Sequence, residues 1–174
     1  MIDYNKNLIR IEFKRKRKNI TTLYQDKIAN VIIDQFKKAL GLLEVNLDNI
    51  QSIGLYLPIN GEINTQSLMN DLIYEGKIIS FPKVISKTEM HFIEQNNDNN
   101  ICNPQLYIVP LIAFDKYKNR LGFGGGYYDR LIQKSINKIF IGLAYSVQFY
   151  NKQLPINEFD QKLNCIVTED KIIY

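Results

Sequence analysis

The chain has 174 residues, 45% hydrophobic and 23% charged, proportions that exclude a disordered or fibrous protein and fit one domain over residues 1–174. Its 22 Lys and Arg against 18 Asp and Glu leave a net charge of +4, a bias toward small anionic ligands that is too weak to require nucleic acid. Only Cys102 and Cys165 are present, which excludes a disulfide framework, and no apolar run approaches the roughly 20 residues of a membrane span, so a cytoplasmic protein without membrane contact is expected.

Residues 5–18 are expected to form a basic amphipathic helix, with Leu8, Ile9 and Phe13 as its apolar stripe and Lys6, Arg10, Lys14 and Arg17 as the opposite face. The block from Lys14 to Lys18 (KRKRK) on this helix is expected to face solvent. Thr21 or Thr22 offers an N-cap for a second helix, in which Ile28, Val31, Ile32, Phe36, Ala39 and Leu40 keep helical spacing until Gly41. A strand over 50–57, a helix over 64–74 stopped by Gly76, and strands over 77–81 and 90–94 follow, and 95–100 (QNNDNN) read as a loop. Next come a short strand over 106–109 closed by Pro110, a helix over 127–134, and strands over 139–144 and 163–167. Strands alternating with helices imply an α/β fold with a mainly parallel sheet covered on both faces. Ligands of such sheets sit beyond the carboxyl ends of the strands, and 110–126 is the longest loop in such a position.

That loop carries Gly122, Gly124, Gly125 and Gly126, four of the nine glycines in the chain. Glycines permit positive φ and close backbone approach, so their N–H groups, with the start of the helix near Tyr127, would form an anion cradle between Arg120 and Arg130. The segment is neither GxGxxG nor a Walker A loop, and a ligand-free strand-to-helix connection is the other reading. Asp129 falls in the first turn of the helix, where it either caps the dipole or holds a metal-bound phosphate. Of Tyr127 and Tyr128, one is expected in the core and Tyr128 nearer the chemistry.

The stretch VPLIAFDKYKNRLGFGGGYYDRLI, residues 109–132, resembles the signature of the 5-formyltetrahydrofolate cyclo-ligase family, also called methenyltetrahydrofolate synthetases. Leu111 stands where that family usually has Gly, Phe123 where Tyr or Arg is frequent, and Gly125 where some members carry Lys. Lys6 and Arg10 match the family's nucleotide-binding K-x-x-x-R pair, although solvated cations at this spacing are common on surface helices. Leu57 and Glu62 match folate-contacting positions. A carboxylate suits the pterin's N–H donors, while Glu62 also suits a helix start. FPKV at 81–84 makes Lys83 a further contributor to an anionic site. Phe159 replaces a family histidine, and Asp160 beside it matches an aspartate that joins Asp129 on Mg2+. His91, the only histidine, reads as structural.

The resemblance implies a NagB/RpiA/CoA-transferase-like three-layer α/β domain that converts 5-formyltetrahydrofolate and ATP, with Mg2+, to 5,10-methenyltetrahydrofolate, ADP and phosphate through a phosphorylated formyl group. Arg120 and Tyr128 would be catalytic. Lys6, Arg10, Arg120, Leu121, Gly122, Phe123, Gly124, Gly125, Gly126, Tyr127 and Tyr128 would bind ATP. Leu57, Glu62, Phe123, Gly124, Gly125, Gly126 and Tyr127 would bind the folate, and Asp129 and Asp160 the metal. The expected form is a monomer with no nucleic-acid partner. An RNA-binding module using KRKRK and the eleven tyrosines, or a folate or nucleotide carrier without turnover, are the competing readings.

Overall fold

The computed structural model describes residues 2–174, with side chains for all of these except 98 and 99. Helices α1 (Ile2–Lys18) and α2 (Thr22–Leu42) open the chain, and Thr21 is the N-cap between them, accepting from Tyr24 N at 3.2 Å. Strand β1 (Ser52–Gly54), helix α3 (Gln66–Tyr74), and strands β2 (Ile78–Val84), β3 (Met90–Glu94), β4 (Asn97–Cys102) and β5 (Leu106–Pro110) follow. A small hairpin of β6 (Ala113–Phe114) and β7 (Arg120–Leu121) leads into α4 (Tyr127–Lys134), and β8 (Ile139–Leu143), β9 (Cys165–Val167) and β10 (Ile172–Ile173) complete the order.

Eight strands form one sheet in the order β10-β9-β8-β5-β1-β2-β3-β4. The pairings from β9 through β2 are all parallel, and antiparallel partners close both edges. The expected mainly parallel α/β sheet is therefore present. Period-two alternation divides the strands between two cores. Leu106, Ile108, Ile141 and Leu143 point toward α2 and α3, where Ile32, Phe36, Leu68 and Leu72 meet them. Tyr107, Val109 and Phe140 point the other way, toward Phe114 and the Tyr128, Leu131 and Ile132 face of α4. Helix α1 lies outside this second layer, packing Ile9 and Phe13 on Ile112, Ala113 and Leu121 of the hairpin region.

Several expectations fail for local reasons. Residues 97–100, read as loop, begin β4, an edge strand whose residues need no alternating apolar pattern because only β3 pairs with it. Strand β2 runs past the expected stop at Phe81 because Pro82 lies beyond the β1 pairing, where β2 has β3 alone as neighbour and a missing N–H costs no ladder bond. The long 110–126 loop contains the β6–β7 hairpin, and β10 pairs antiparallel with β9. The two end strands expected at 50–57 and 163–167 are shorter, at Ser52–Gly54 and Cys165–Val167.

The largest correction concerns α1. Its buried residues are Lys6, Ile9, Phe13 and Arg17, while Leu8, assigned to the apolar stripe, is 49% exposed. The helix turns part of its cationic face inward. Arg17, expected in a solvent-facing block, is 1% exposed.

Candidate active site

A cavity of about 670 Å3 opens where these layers meet. Its lining includes Tyr56 and Leu57 after β1, Pro82 and Val84 at the end of β2, and Pro110 at the end of β5, so it lies at the carboxyl ends of parallel strands, as the sheet topology favours. Lys6 and Arg10, Leu57 and Glu62, the whole run from Arg120 to Asp129, and Asp160 all line it. Every residue proposed from the sequence for ATP, folate or metal is thus brought to one wall or another of a single space. Lys83 is not: alternation along β2 turns Pro82 and Val84 to the cavity and Lys83 to the opposite, exposed side, in register with His91. His91 contacts Glu89 at 2.7 Å and takes no part in the cavity.

The glycine loop is held by two arginines. Arg10 Nε donates to Gly122 O at 2.8 Å, and Arg130 Nη2 donates to Gly125 O at 2.8 Å while its Nε reaches Thr88 O at 3.0 Å. Gly124 at φ +105° and Gly126 at φ +66° adopt backbone that only glycine takes without strain. With carbonyls turned to the arginines, the N–H groups of Phe123, Gly124 and Gly125 donate to no described residue, and the first turn of α4 adds free N–H groups by construction. Phe123 lies against α1, 5.2 Å from Lys14 Nζ and 5.8 Å from Arg17 Cζ, measured at the ring centroid. A Cβ at Gly125 would fall 2.8 Å from the Tyr127 ring, so a side chain there requires that ring to shift.

Arg120 is buried and joins two segments. Its Nη1 donates to Gln161 O at 2.6 Å and its Nη2 pairs with Asp129 Oδ1 at 3.0 Å, which also accepts from Gln161 N at 3.0 Å. Asp160 Oδ2 receives Lys6 Nζ and Asn157 N. Among the described residues no group of three or more His, Cys, Asp or Glu converges. Mg2+ in nucleotide sites needs only one or two carboxylates, the rest being phosphate and water oxygens. Asp129 Oδ2 and Asp160 Oδ1 receive no hydrogen bond or ion pair from the described residues, so each carboxylate keeps one oxygen available to a cation.

The rest of the lining is largely apolar around a few buried polar groups. Glu62 is 4% exposed; its Oε2 accepts from Ile59 N at 3.0 Å, and its Oε1 has no hydrogen-bond partner. Burial raises its pKa, against the opposing effects of the Ile59 N–H and the Arg17 charge. Tyr128 packs its ring on the sheet core, and its buried hydroxyl is also without a partner; burial, then the Glu62 charge, holds its pKa well above the usual tyrosine range. Tyr127 instead reaches Ser86 O at 3.1 Å. Sequence reasoning missed the apolar contributions of Tyr56, Val84 and Met90, and of Phe159, which lines the cavity from the loop ahead of Asp160. The signal for Tyr56 was its place at the carboxyl end of the strand expected over 50–57 in a parallel sheet; nothing local marks Met90.

A model of the 5-formyltetrahydrofolate cyclo-ligase family matches residues 3–169. The chain belongs to that family. It is 36% identical over 123 residues to the 5-formyltetrahydrofolate cyclo-ligase of Mycoplasma genitalium, covering 68% of this chain and 72% of that one. With the enzyme of the same name from Haemophilus influenzae it shares 32% identity over 179 residues, covering 89% and 92%. The solved 5,10-methenyltetrahydrofolate synthetase of Mycoplasma pneumoniae superposes with a TM-score of 0.78 at 32% identity, over 92% of this chain and 96% of that one. The chain is an α/β cyclo-ligase of this family. No described helix is long and apolar enough to cross a membrane.

Proposed function

We propose that the chain closes 5-formyltetrahydrofolate to 5,10-methenyltetrahydrofolate in an ATP- and Mg2+-dependent reaction that releases ADP and phosphate. The observation that carries this reading is that one cavity is lined both by Lys6, Arg10, Arg120 and the glycine loop and by apolar side chains around the buried Glu62 carboxylate. A nucleotide triphosphate and a pterin need those two surfaces side by side. Lys6, Arg10, Arg120 and the N–H groups of the 122–126 loop face the phosphates; Leu57 and the Glu62 carboxylate hold the pterin, whose N–H groups donate to Glu62.

A formamide carbon is a poor electrophile. Attack of the formyl oxygen on the γ-phosphorus breaks the bond to ADP and places a phosphate on that oxygen, after which the substrate's N10 attacks the carbon, loses its proton and expels phosphate. No covalent nucleophile from the protein is required, so positioning and charge stabilisation account for the catalysis. Tyr128, kept neutral by its surroundings, donates its hydroxyl toward the reacting groups, while the unused N–H groups of Arg120 face the transferred phosphoryl. Asp129 and Asp160 hold Mg2+, which neutralises phosphate charge when bound.

The test is incubation with 5-formyltetrahydrofolate, ATP and Mg2+, following the product by its near-ultraviolet absorbance and ADP by a coupled assay. Product and ADP are expected in equal amounts, and both stop when nucleotide is omitted or the metal is chelated. Product formed without ADP, or none under any nucleotide and metal condition, overturns the reading.

A further inference from the structure

Arg17 has no place in the reaction just described, yet it is among the most deeply buried side chains, at 1% exposure. Its Nε donates to Asn60 O and its Nη1 to Leu111 O, each at 3.1 Å. Those two carbonyls fix the guanidinium plane, one in the loop that carries Glu62 and one just after β5. Nη1 lies 3.9 Å from Glu62 Oε1, while Nη2 and Oε1 both lack hydrogen-bond partners. A buried charge pair this loosely joined gains little for the fold, since the desolvation of two ions outweighs an imperfect contact. What it does provide is a carboxylate with one anchored oxygen and one buried oxygen that has no hydrogen-bond partner.

We propose that Arg17 is a positioning residue of the folate subsite: from behind the cavity it keeps Glu62 ionised, acceptor-only and correctly turned for the pterin's N–H donors. The inference rests on the assignment of Glu62 to the pterin. One geometric fact and the electrostatic surroundings support it. The Asn60 carbonyl that Arg17 holds belongs to the same turn whose Ile59 N–H anchors Glu62 Oε2, so one guanidinium sets both the charge and the orientation of the acid. In addition, the groups that face Glu62 from the other elements are Tyr56, Tyr128 and Tyr145, the last donating its hydroxyl to Glu62 O at 3.4 Å. Burial pushes all three tyrosines upward, so they stay neutral. Arg120 bears on Tyr128, and Arg17 is the cation that bears on Glu62.

The pH sign follows. A protonated Glu62 presents an O–H where the pterin also presents donors, so folate binding is present above the Glu62 pKa and lost as pH falls through it. Burial already moves that point upward, and removing the Arg17 charge moves it further up. For Arg17→Gln, which keeps amide donors for the carbonyls but not the charge, kcat/KM for 5-formyltetrahydrofolate at pH 6 is expected to fall at least about tenfold. The deficit should shrink as pH rises, with KM for ATP within about twofold of wild type. Arg17→Lys should move the acid limb back toward wild type, and Glu62→Gln, which cannot titrate, should abolish that limb.

An Arg17→Gln deficit that is constant with pH or falls equally on ATP, or an Arg17→Lys limb no closer to wild type, overturns the inference. If Arg17→Gln does not fold, an acid limb that persists in Glu62→Gln still overturns it. Calorimetric titration with 5-formyltetrahydrofolate alone separates the two levels. Unchanged binding by Glu62→Gln sinks the pterin assignment itself, whereas weakened binding there together with a wild-type pH profile in Arg17→Gln sinks only the role of Arg17.

Discussion

Arg120 ties the start of α4 to the loop that carries Asp160, through Asp129 Oδ1 on one side and Gln161 O on the other. Its side chain is 4% exposed and that of Asp129 25%, and this asymmetry separates two substitutions. Arg120→Ala removes a charged donor to a part-buried carbonyl and leaves Asp129 without its ion-pair partner, so it should cost about 1.5–3 kcal/mol in urea unfolding and at least about a hundredfold in turnover. Asp129→Asn keeps an oxygen for the Gln161 N–H and should cost about 1 kcal/mol or less, yet turnover should fall as severely if Asp129 holds the metal. Similar losses of kcat with unequal losses of stability are the expected pattern. Near-normal turnover in both variants would mean that this corner is only structural. From the sequence alone Arg120 carried a charge beside a glycine run; that the same guanidinium also braces the fold is a long-range fact, since Gln161 is 41 residues away.

At the scale of elements, β1 shows how little length a strand needs when its neighbours are right. It has three residues, pairs in parallel with both β2 and β5, and ends in Gly54. A Cβ at Gly54 would sit 2.6 Å from Phe92 Cε1 and 2.9 Å from Tyr107 Cδ1, two rings whose edge-to-face packing fills the second core. Gly54→Ala should therefore overpack the sheet by about 1–3 kcal/mol, seen as a lower urea midpoint with an unchanged slope; a midpoint equal to wild type would mean that the rings shift freely. The elements legible in the sequence were those with a full period to count: α2, α3, α4, β5 and β8 lie where their apolar spacing puts them. The edge strands β4 and β10 gave no such pattern because each has a single neighbour in the sheet. Helix α1 was legible as a helix, and Ile9 and Phe13 of its expected apolar stripe are buried, but Lys6 and Arg17 from the opposite face are buried with them. Lys6 and Arg17 are buried with Ile9 and Phe13 because carboxylate and carbonyl partners, distant in sequence, receive them. Polar spacing reports a face; only the opposing surface decides whether that face looks inward.

For the whole molecule, the cavity draws its walls from α1, the 56–62 segment, the ends of β2 and β5, the glycine loop with α4, and the 157–160 segment. Ligands that contact all of these are lost when any one of them unfolds, so their binding energy is added to global stability, and the chain should unfold as one unit. At a hundred times its Kd a ligand contributes about 2.7 kcal/mol, which for a chain of this size raises Tm by roughly 5–10 °C. A non-hydrolysable ATP analogue and 5-formyltetrahydrofolate should each produce such a rise, but by different physics. In the proposed arrangement the nucleotide would be held by Lys6, Arg10 and Arg120 and the loop N–H groups, an attraction that salt screens once the Debye length drops from about 10 Å at 0.1 M toward about 3 Å at 1 M. The folate would be held by apolar surface and by a buried carboxylate, where screening is weaker. Raising the salt should therefore cut the shift from the nucleotide analogue at fixed concentration and leave most of the shift from the folate. Equal salt sensitivity of the two shifts would place both ligands on the cationic wall and remove the physical basis for a divided cavity. Two separate unfolding transitions, with ligand raising only one of them, would show that the segments around the cavity do not stand or fall together.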